Sequence, residues 1–360
     1  MPEPLPPKLE LDARTAQILS EAAWALGELS GVGQKLPNPH LLIGPFLRRE
    51  AVLSSRIEGA VATAEELLLF EAIPTREPPR DEIREVANYV RALEFGLERL
   101  RELPVSLRLM RELHKVLLTG ARGEERRPGQ FRDRQNYIGN PSQGIADARF
   151  VPPPVQEMNQ ALDDFEKFIH APSELPFLIR LTLIHYQVEA IHPFIDGNGR
   201  IGRLLIPLVL CEARYLPQPL LYLSAYFERN REAYADHLLR VSQTGAWSDW
   251  IRFFLEGVAE QSRDAVRRSQ RLLDLQQEYH GKLQTARASA LLLKLVDKLF
   301  AFPALTISHA RKELDVTYPS AKRNMQKLVE AGILEAVNGR RRNRVYIAPE
   351  IISIIEAEKI

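Results

Sequence analysis

The side chains best suited to chemistry lie together in residues 191–203, which read IHPFIDGNGRIGR. His192 ends an apolar segment with helical spacing, FLIRLTLIHYQVEAI, and the proline that follows favours a break in that helix. Two glycines flank Asn198, and glycine permits the positive φ of a tight turn with exposed backbone N–H groups. A second helix is predicted to begin at about Asn198 and to continue through LLIPLVL. The stretch therefore predicts a helix, a polar turn and a second helix.

This turn is predicted to bind phosphate, because a glycine turn that leads into a helix offers unsatisfied N–H groups and the positive end of the helix dipole. Arg200 and Arg203, three residues apart, share one face of the first turn and add positive charge. Asp196 precedes the turn, where a carboxylate is suited to hold a Mg²⁺ that bridges phosphates. His192, with an ordinary pKa of about 6.5, can accept a proton from a hydroxyl group. Phosphoryl or nucleotidyl transfer to a hydroxyl is the chemistry that this set indicates. The alternative is a simple connection between two core helices, which has no need of two arginines and an acid.

The same stretch resembles the signature of the Fic family, HPF-x-[DE]-GN-[GK]-R-x-x-R, and it matches every specified position. The resemblance implies an all-helical core that uses ATP with Mg²⁺ and transfers AMP to a protein hydroxyl, including one of its own. It makes His192 the catalytic base and Asp196 the metal ligand. It also implies a set of nucleotide-binding residues, with the aromatic member near the adenine: Glu58, Asp196, Gly197, Asn198, Gly199, Arg200, Ile201, Gly202, Arg203 and Tyr234.

A second motif ends the helix predicted for PFLRREAVLSSRIEGA, in which Pro45 is expected in the first turn. Ser54 and Glu58 are four residues apart and so share one face, while Gly59 suits the position just after a helix end. Without further context, such a Ser–Glu pair is ordinary solvated helix surface.

The string SSRIEG resembles the inhibitory motif [ST]-x-x-x-E-[GN] of Fic proteins that carry an N-terminal inhibitory helix, the class II type. The resemblance implies that Ser54, Glu58 and Gly59 are inhibitory and that Glu58 reaches Arg203, where it blocks the site of the γ-phosphate. An anion site with two arginines can accept a carboxylate from its own chain. A role of Glu58 in removing AMP is left open.

Residues 120–155 lose the helical period and are rich in Gly, Pro and Asn. The short runs NYIG and RFVP are predicted to pair as a small β-hairpin. GQFR and VPPP match the anchors of the flap in Fic proteins. The resemblance implies that the flap edge aligns the target by β-strand addition, through Ile138, Gly139, Phe150 and Val151. An ordinary surface loop is the alternative.

Residues 304–347 predict a winged helix-turn-helix, with two short helices followed by a hairpin around Asn338 and Gly339. From Arg311 to Arg344 the chain has nine Lys and Arg against four acids. DNA is therefore a candidate partner of residues 304–347, and packing or protein contact is the alternative.

The whole chain has 360 residues, a net charge of +1, 45% hydrophobic residues and 26% charged residues. A charge so close to zero creates no global field towards nucleic acid or membrane. No apolar run is long enough to span a bilayer and no leader is evident, so a cytoplasmic location without membrane contact is expected. The lone Cys211 is expected in the core.

The fold class predicted is an all-α Fic-type helical core with a small β-hairpin flap, plus a C-terminal winged helix-turn-helix domain. The expected division is 1–90 for the N-terminal region with the inhibitory helix, 91–262 for the catalytic core, 263–303 for a helical linker and 304–360 for the winged domain.

The leading hypothesis for function is a self-inhibited protein adenylyltransferase acting on Ser, Thr or Tyr hydroxyls, with formation of a homodimer as a further expectation. The alternative is a nucleotide-sensing transcription regulator that acts through the winged helix. His192 argues against the alternative, because sensing a nucleotide needs the phosphate site but not a base.

Overall fold

The computed structural model describes residues 2–35, 40–73, 80–120, 127–139, 144–285, 290–337 and 344–357. The helices that it describes are α1 (Ala13–Lys35), α2 (His40–Ile57), α3 (Ala64–Glu71), α4 (Asp81–Arg99), α5 (Leu107–Leu118), α6 (Val155–His170), α7 (Phe177–Ile191), α8 (Asn198–Glu212), α9 (Ser224–Arg229), α10 (Arg231–Thr244), α11 (Trp247–Thr285), α12 (Ala290–Ala301), α13 (Ile307–Leu314), α14 (Tyr318–Glu330) and α15 (Pro349–Glu356). The strands are β1 (Ala304–Thr306), β2 (Glu335–Ala336) and β3 (Val345–Ile347). None of these helices combines the length and apolar composition that crossing a membrane requires.

The helices α7 and α8 form the centre of the fold. Residues of α7 are buried around its whole circumference, from Leu178 to Ile191, as expected for a helix that is apolar on all sides. In α8 the run from Ile201 to Leu210 is buried as well. α4, α5, α6 and α11 pack around this pair. The loop with the candidate chemistry therefore joins two helices that the core holds from every side.

The helix α2 differs from its prediction at one end. It begins at His40, so Pro45 lies inside the helix and not in its first turn as predicted. At the other end α2 stops at Ile57, and a turn follows in which Gly59 N–H donates to the Arg56 carbonyl at 2.9 Å. Gly59 has φ +91°, a conformation that suits glycine after a helix end.

The C-terminal elements form an antiparallel sheet of order β1-β3-β2, in which Ala304 and Glu335 both pair with Ile347. α13 and α14 lie between β1 and β2 in sequence. The predicted turn at Asn338 and Gly339 falls outside the described residues. α12 and α15 pack against α2, and the Ala64 N–H donates to Glu356 at 3.2 Å. α12 to α15 contribute residues to the hydrophobic cluster of the central helices. Ala304 and Val345 of the sheet pack instead in a smaller cluster with α3 and α15.

Two of the expected boundaries do not coincide with breaks in the fold. The position after residue 90 falls within α4, and the position after residue 262 falls within α11, which runs unbroken for 39 residues. The division into functional units remains a proposal.

Candidate active site

The loop between α7 and α8 is held in a defined conformation by its own side chains. His192 caps α7 in the left-handed region, with φ 51° and ψ 59°, which is uncommon for a residue other than glycine. The Asn198 amide binds Phe194 twice, accepting from its N–H and donating to its carbonyl, both at 2.8 Å. The Gly197 N–H donates to Asp196 Oδ1 at 2.7 Å. The glycine turn predicted from the sequence is present.

The start of α8 has the features of an anion site. Its N-cap, Gly197, provides no side-chain hydrogen bond, and the first N–H groups of a helix have no acceptor within it. Arg200 and Arg203 are 4% and 2% exposed. Within the described part of the chain, Arg200 Nε is a buried donor without a hydrogen-bond partner. Positive charge and unsatisfied donors thus converge on this helix end, which favours a negatively charged ligand.

Two residues of the predicted nucleotide-binding set do not face this site. Ile201 is fully buried in the core, and its N–H donates to the Gly197 carbonyl at 3.0 Å. The Gly202 carbonyl accepts from His185 Nδ1 at 3.1 Å. Both residues shape the helix behind the site.

His192 is arranged as a neutral base. Its Nδ1 lies 3.3 Å from the Glu189 carbonyl oxygen, which can only accept, so Nδ1 carries the proton and Nε2 keeps its lone pair. Desolvation lowers the pKa of His192 to about 4, against smaller opposing effects from the Glu189 carbonyl and the Glu58 carboxylate. The imidazole is therefore neutral near pH 7 and can take a proton from a bound hydroxyl.

Arg203 is bound by Ser54 and Glu58 of the SSRIEG string. Its Nη2 donates to Glu58 Oε1 at 2.6 Å and to the Ser54 carbonyl at 3.1 Å, while its Nε donates to Ser54 Oγ at 2.8 Å. Burial opposes ionisation of Glu58, but Arg203 outweighs that effect and the pKa of Glu58 is lowered. A Cβ at Gly199 would lie 2.3 Å from Glu58 Oε1. The carboxylate therefore lies directly over the first turn of α8, in the space that a phosphate would use.

Arg200 has a different partner. Its Nη1 lies 3.3 Å from Glu85 Oε2 on α4, and its Nη2 lies 3.9 Å from Asp196 Oδ1. Asp196 stands alone as a candidate metal ligand, because the described residues contain no group of three or more His, Cys, Asp or Glu placed to hold a metal ion.

Several residues that sequence reasoning did not assign to the site fix the loop from outside. Buried Arg132 donates from Nε to the His192 carbonyl at 3.1 Å, and its N–H donates to the Pro193 carbonyl at 2.8 Å. Asn136 Nδ2 donates to the Phe194 carbonyl at 2.8 Å. Arg132 belongs to the GQFR string, which the sequence associates with the flap. The structure shows that this arginine also holds the loop between α7 and α8.

His114 also supports the loop and had no sequence signal, since a histidine within an amphipathic helix is usually packing. Its Nε2 donates to the Asp196 carbonyl at 3.0 Å, its Nδ1 accepts from the Gly129 N–H at 2.9 Å, and its ring stacks on Phe194 at 3.8 Å. Desolvation lowers the pKa of His114 to about 4, so the ring is neutral and this pattern of donor and acceptor is stable near pH 7.

The flap has one antiparallel bridge, in which Ile138 and Phe150 exchange N–H···O bonds of 2.8 and 3.1 Å. Ile138 and Val151 are exposed. A Cβ at Gly139 would lie 3.0 Å from Ala148 Cα, so the two flap strands approach closely there. Residues 140–143 of the flap lie outside the described residues.

A cavity of about 120 Å³ lies between the flap, α7 and α10. Its lining is mainly apolar, with one acid at its inner end: Ile138, Phe150, Tyr186, Glu189, Leu238 and Leu239 are among its residues. Tyr234, the aromatic expected near the adenine, is buried behind this cavity with its ring stacked on Phe227 at 4.4 Å. Its hydroxyl lies 3.2 Å from Glu189 Oε1.

The fold and the site together define a helical protein in which one helix-loop-helix holds a histidine base beside an anion site. Residues 16–98 match the model of the Fic/DOC family N-terminal region, and residues 104–210 match the model of the Fic/DOC family. The two matches cover more than half of the chain, and the second contains the loop and both arginines. The chain belongs to the Fic/DOC family.

Solved structures agree with this assignment at the level of the fold. A Fic family protein from Desulfovibrio desulfuricans G20 is similar with a TM-score of 0.60 and 19% identity, over 95% of this chain and 98% of that one. A fragment of Fic-1 from C. elegans is similar with a TM-score of 0.51 and 19% identity, over 72% of this chain and 73% of that one.

Curated relatives share part of the sequence. "Protein adenylyltransferase Fic" of Drosophila virilis is 27% identical over 179 residues, which are 49% of this chain and 33% of the relative. The protein of the same name from Drosophila melanogaster is 26% identical over 179 residues, again 49% of this chain and 33% of the relative. The aligned part of the chain thus spans about a third of the length of these relatives.

Proposed function

We propose that this protein is a protein adenylyltransferase, which transfers AMP from ATP to the hydroxyl group of a serine, threonine or tyrosine of a protein. The observation that carries the proposal is the pairing of a neutral base, His192, with a helix N-terminus that has unsatisfied N–H groups and two buried arginines. Membership of the family and the names of the curated relatives support it.

In the proposed step the hydroxyl oxygen attacks the α-phosphorus of ATP, the bond from that phosphorus to the bridging oxygen breaks, and pyrophosphate leaves. His192 Nε2 takes the hydroxyl proton. The N–H groups at the start of α8, together with Arg200 and Arg203, stabilise the negative charge on the phosphates. Fixed donors of this kind act most strongly in a site that excludes water.

Asp196 fits the role of the Mg²⁺ ligand. Its carboxylate stands at the edge of the anion site, 3.9 Å from Arg200. One protein carboxylate completed by phosphate oxygens and water is a usual ligand set for Mg²⁺. When bound, the ion supplies charge neutralisation on the phosphates. The loop holds the aspartate in place through the bond from His114 to its carbonyl.

We assign the apolar cavity beside the flap to the purine base and the flap edge to the target. The cavity opens next to Glu189, one turn before His192, so a base there places the phosphates towards α8. Main-chain groups beside the bridge of Ile138 and Phe150 remain at an exposed edge, where an extended segment can add as a strand. Such docking reads the main chain more than the side chains, which is compatible with modification of the protein itself.

We also propose that the chain inhibits itself through Glu58. The carboxylate is bound to Arg203 at 2.6 Å and lies over Gly199, so it occupies a donor and a space that the γ-phosphate of ATP would otherwise use. ATP can still bind to the remaining donors, but its γ-phosphate must then lie elsewhere and its α-phosphate is misaligned with His192. Misplacement of reacting atoms by about 1 Å can lower a rate by on the order of 10²-fold.

The test of the activity is incorporation of label from ATP, compared for ATP labelled in the α-phosphate and in the γ-phosphate, with mass spectrometry of the product. Protein should acquire the α-label and the mass of AMP but not the γ-label. His192→Ala should lower incorporation by about 10²–10⁴-fold while nucleotide still binds, because the base is removed and the anion site is kept. Transfer of the γ-label, or transfer unchanged in His192→Ala, would contradict the proposal.

A second function is favoured by the surface of the C-terminal elements. The order β1, α13, α14, β2, β3 supports the winged helix expected from the sequence. Exposed basic side chains lie on α14 opposite its buried apolar face: Lys322, Arg323 and Lys327 against Ala321, Met325 and Leu328. We propose that this face binds the DNA phosphate backbone. Arg340, Arg341 and Arg342, at the tip of the predicted wing, lie outside the described residues.

Fluorescence anisotropy with duplex DNA over a range of salt concentrations tests this proposal. Replacing Lys322, Arg323 and Lys327 with alanine should flatten the slope of log affinity against log salt by about 0.9 unit for each phosphate that the protein no longer neutralises. Arg14→Ala, which removes an exposed cation of α1, is the matched control and should leave the slope unchanged. Absence of salt-dependent binding in the wild type would remove the proposal.

A further inference from the structure

Glu189 is a nearly buried acid that neither motif includes. It lies on α7 one turn before His192, and its side chain is 11% exposed. A Cβ at Gly202 would lie 2.8 Å from Glu189 Oε1, so the carboxyl group rests against the backbone of α8. An acid in this position, close to the arginine that binds Glu58, requires an explanation of its charge.

Glu189, Tyr234 and His185 form a chain of hydrogen bonds that needs two protons, and an ionised Glu189 would leave the chain with only one. His185 is completely buried, and its Nδ1 lies 3.1 Å from the Gly202 carbonyl, so Nδ1 carries the proton. Desolvation lowers the pKa of His185 to about 3, so the ring is neutral and Nε2 is an acceptor. Tyr234 Oη lies 2.8 Å from that Nε2 and 3.2 Å from Glu189 Oε1.

One hydroxyl proton cannot serve both acceptors. The shorter of the two distances assigns the Tyr234 proton to His185 Nε2. The contact between Tyr234 Oη and Glu189 then has no proton unless Glu189 itself provides one. A carboxylic acid at Glu189 completes the chain, whereas a carboxylate leaves two oxygens facing each other without a proton. Burying such an unsatisfied pair is costly.

Burial of Glu189 favours the neutral acid as well. Desolvation raises the pKa of Glu189 to about 7; Glu58 adds to the rise, and Arg203 and the Tyr234 hydroxyl oppose it. Titratable and charged groups surround Glu189 on every neighbouring element. They are His185 on α7, His192 at the end of α7, Arg203 on α8, Tyr234 on α10, Glu58 after α2 and Arg149 at the flap. Arg149 is itself paired with Asp236.

We propose that Glu189 is a positioning residue that, as a neutral acid, orders Tyr234 and His185 behind Arg203 and leaves the charge of that arginine for a phosphate or for Glu58. When Glu189 loses its proton, it becomes an internal competitor for Arg203. This inference rests on the proposed function only in taking a nucleotide phosphate as the ligand of Arg203.

A consequence with a definite sign is that phosphate binding takes up a proton near neutral pH. A phosphate beside Arg203 disfavours the negative charge of Glu189 and so raises its pKa in the complex. Nucleotide affinity must therefore fall as pH rises from the pKa of Glu189 in the free protein to its higher pKa in the complex, because over that range the free protein has released a proton that the complex retains. A rise of about one pKa unit on binding corresponds to about a tenfold fall in affinity across the titration.

The experiment measures binding and not transfer. The full chain carries Glu58→Gly, so that the inhibitory carboxylate does not compete, and the probe is α,β-methylene-ATP with excess Mg²⁺. Loss of Glu58 removes one of the effects that raise the pKa of Glu189. Calorimetric titrations therefore run from pH 5 to 9, each in two buffers of different ionisation enthalpy, and give affinity and proton uptake together. We expect affinity to fall about tenfold with uptake of up to one proton, and Glu58→Gly with Glu189→Gln to show neither effect.

The matched control is Glu58→Gly with Glu212→Gln, since Glu212 accepts from the Val105 N–H at the far end of α8. This control should keep the pH dependence of the parent. Equal pH dependence with and without Glu189 would overturn the proposal. If the Glu189→Gln protein does not fold, constant affinity without proton uptake in Glu58→Gly alone overturns it as well.

Failure of the two ideas can be distinguished. If binding depends on pH as expected but no AMP is transferred, the proposed enzyme activity is wrong and the role of Glu189 stands. If AMP is transferred but binding is independent of pH, the role of Glu189 is wrong and the activity stands. No binding of the probe at any pH overturns both.

Discussion

The two arginines of the α8 turn lie three residues apart and are both buried, yet their acidic partners differ in almost every respect. Arg200 is paired with Glu85, whose side chain is 16% exposed and belongs to α4, a helix packed against α5 and α8. Arg203 is paired with Glu58, whose side chain is 41% exposed and stands in a turn after the end of α2. Glu85 thus belongs to a helix of the core, whereas Glu58 belongs to a turn at the edge of the core.

The difference shows how one turn can contain a permanent and a removable charge pair. The backbone of Glu85 is held beside Arg200, because neighbouring residues of α4, Val86 and Tyr89 among them, are buried in the core. Glu58 can leave Arg203 by a change within one turn next to Gly59, while α2 stays where it is. We therefore expect that Arg200 has a constant role at the nucleotide and that Arg203 is the point of regulation.

Glu58→Gly should have the largest effect. Removing the carboxylate frees Arg203 and the space over Gly199, so AMP transfer should rise by on the order of 10²-fold with little change in ATP affinity. The measurement is α-label incorporated at equal protein and saturating Mg²⁺-ATP. Glu71→Ala is the control, since it breaks the Arg48–Glu71 pair of the same 2.6 Å length away from the site. Equal or lower incorporation in Glu58→Gly would mean that Glu58 serves another purpose, such as removal of AMP.

Glu85→Gln should lower the stability of the protein and should not activate transfer. Loss of Glu85 leaves buried Arg200 with the more distant carboxylate of Asp196, at 3.9 Å, and should cost about 3 kcal/mol in the free energy of unfolding. Transfer should not rise, because the space over Gly199 remains occupied. Chemical denaturation together with the label assay checks both points. A Glu85→Gln protein that is activated like Glu58→Gly would show that the two pairs are equivalent and would break the comparison.

The sequence indicated one of these pairs and not the other, for physical reasons. Glu58 stands in a string that resembles a known inhibitory motif, and that resemblance implied its contact with Arg203. The spacing of Ser54 and Glu58 alone indicates only a solvated helix surface. Glu85 is one of several acids on an amphipathic helix, and only the packing of α4 on α8 decides which of them meets Arg200. Local patterns predict which residues stand in one turn, and they do not predict which distant helix covers it.

The same reasoning accounts for the fold. The string VQEMNQALDDFEKFIH has an apolar helical stripe between prolines, and it forms α6 over Val155–His170, because both of these signals are local. The unbroken length of α11, the short strand β1 and the network of His185, Tyr234 and Glu189 were not predicted. Each of these depends on contacts between elements far apart in sequence, and a single histidine or glutamate in an apolar helix carries no mark of such a contact.

Ser54→Ala should have the smallest effect, and it tests whether α2 itself contributes to the hold on Arg203. The Ser54 hydroxyl accepts from Arg203 Nε at 2.8 Å in a buried setting, whereas Glu58 bonds to Nη2 of the same guanidinium. Without the hydroxyl, Arg203 loses one of its bonds to the inhibitory motif but keeps its ion pair.

A buried hydrogen bond to a charged group contributes about 1.5–3 kcal/mol. Because α2 stays beside Arg203 after Glu58 has left, Ser54→Ala removes this bond from the inhibited state and also, in part, from the active state. We therefore expect transfer to rise less than about tenfold, well below the effect of Glu58→Gly. Ser55→Ala is the matched control, because Ser55 is equally buried and its Oγ has no hydrogen-bond partner within the described part of the chain. If both serine variants behave alike, the hydroxyl of Ser54 has no specific role and the hold on Arg203 belongs to Glu58 alone. If Ser54→Ala instead raises transfer as much as Glu58→Gly does, the geometry of the Glu58–Arg203 pair depends on α2. The element that must move to release Arg203 is then the end of the helix and not the Glu58 carboxylate alone.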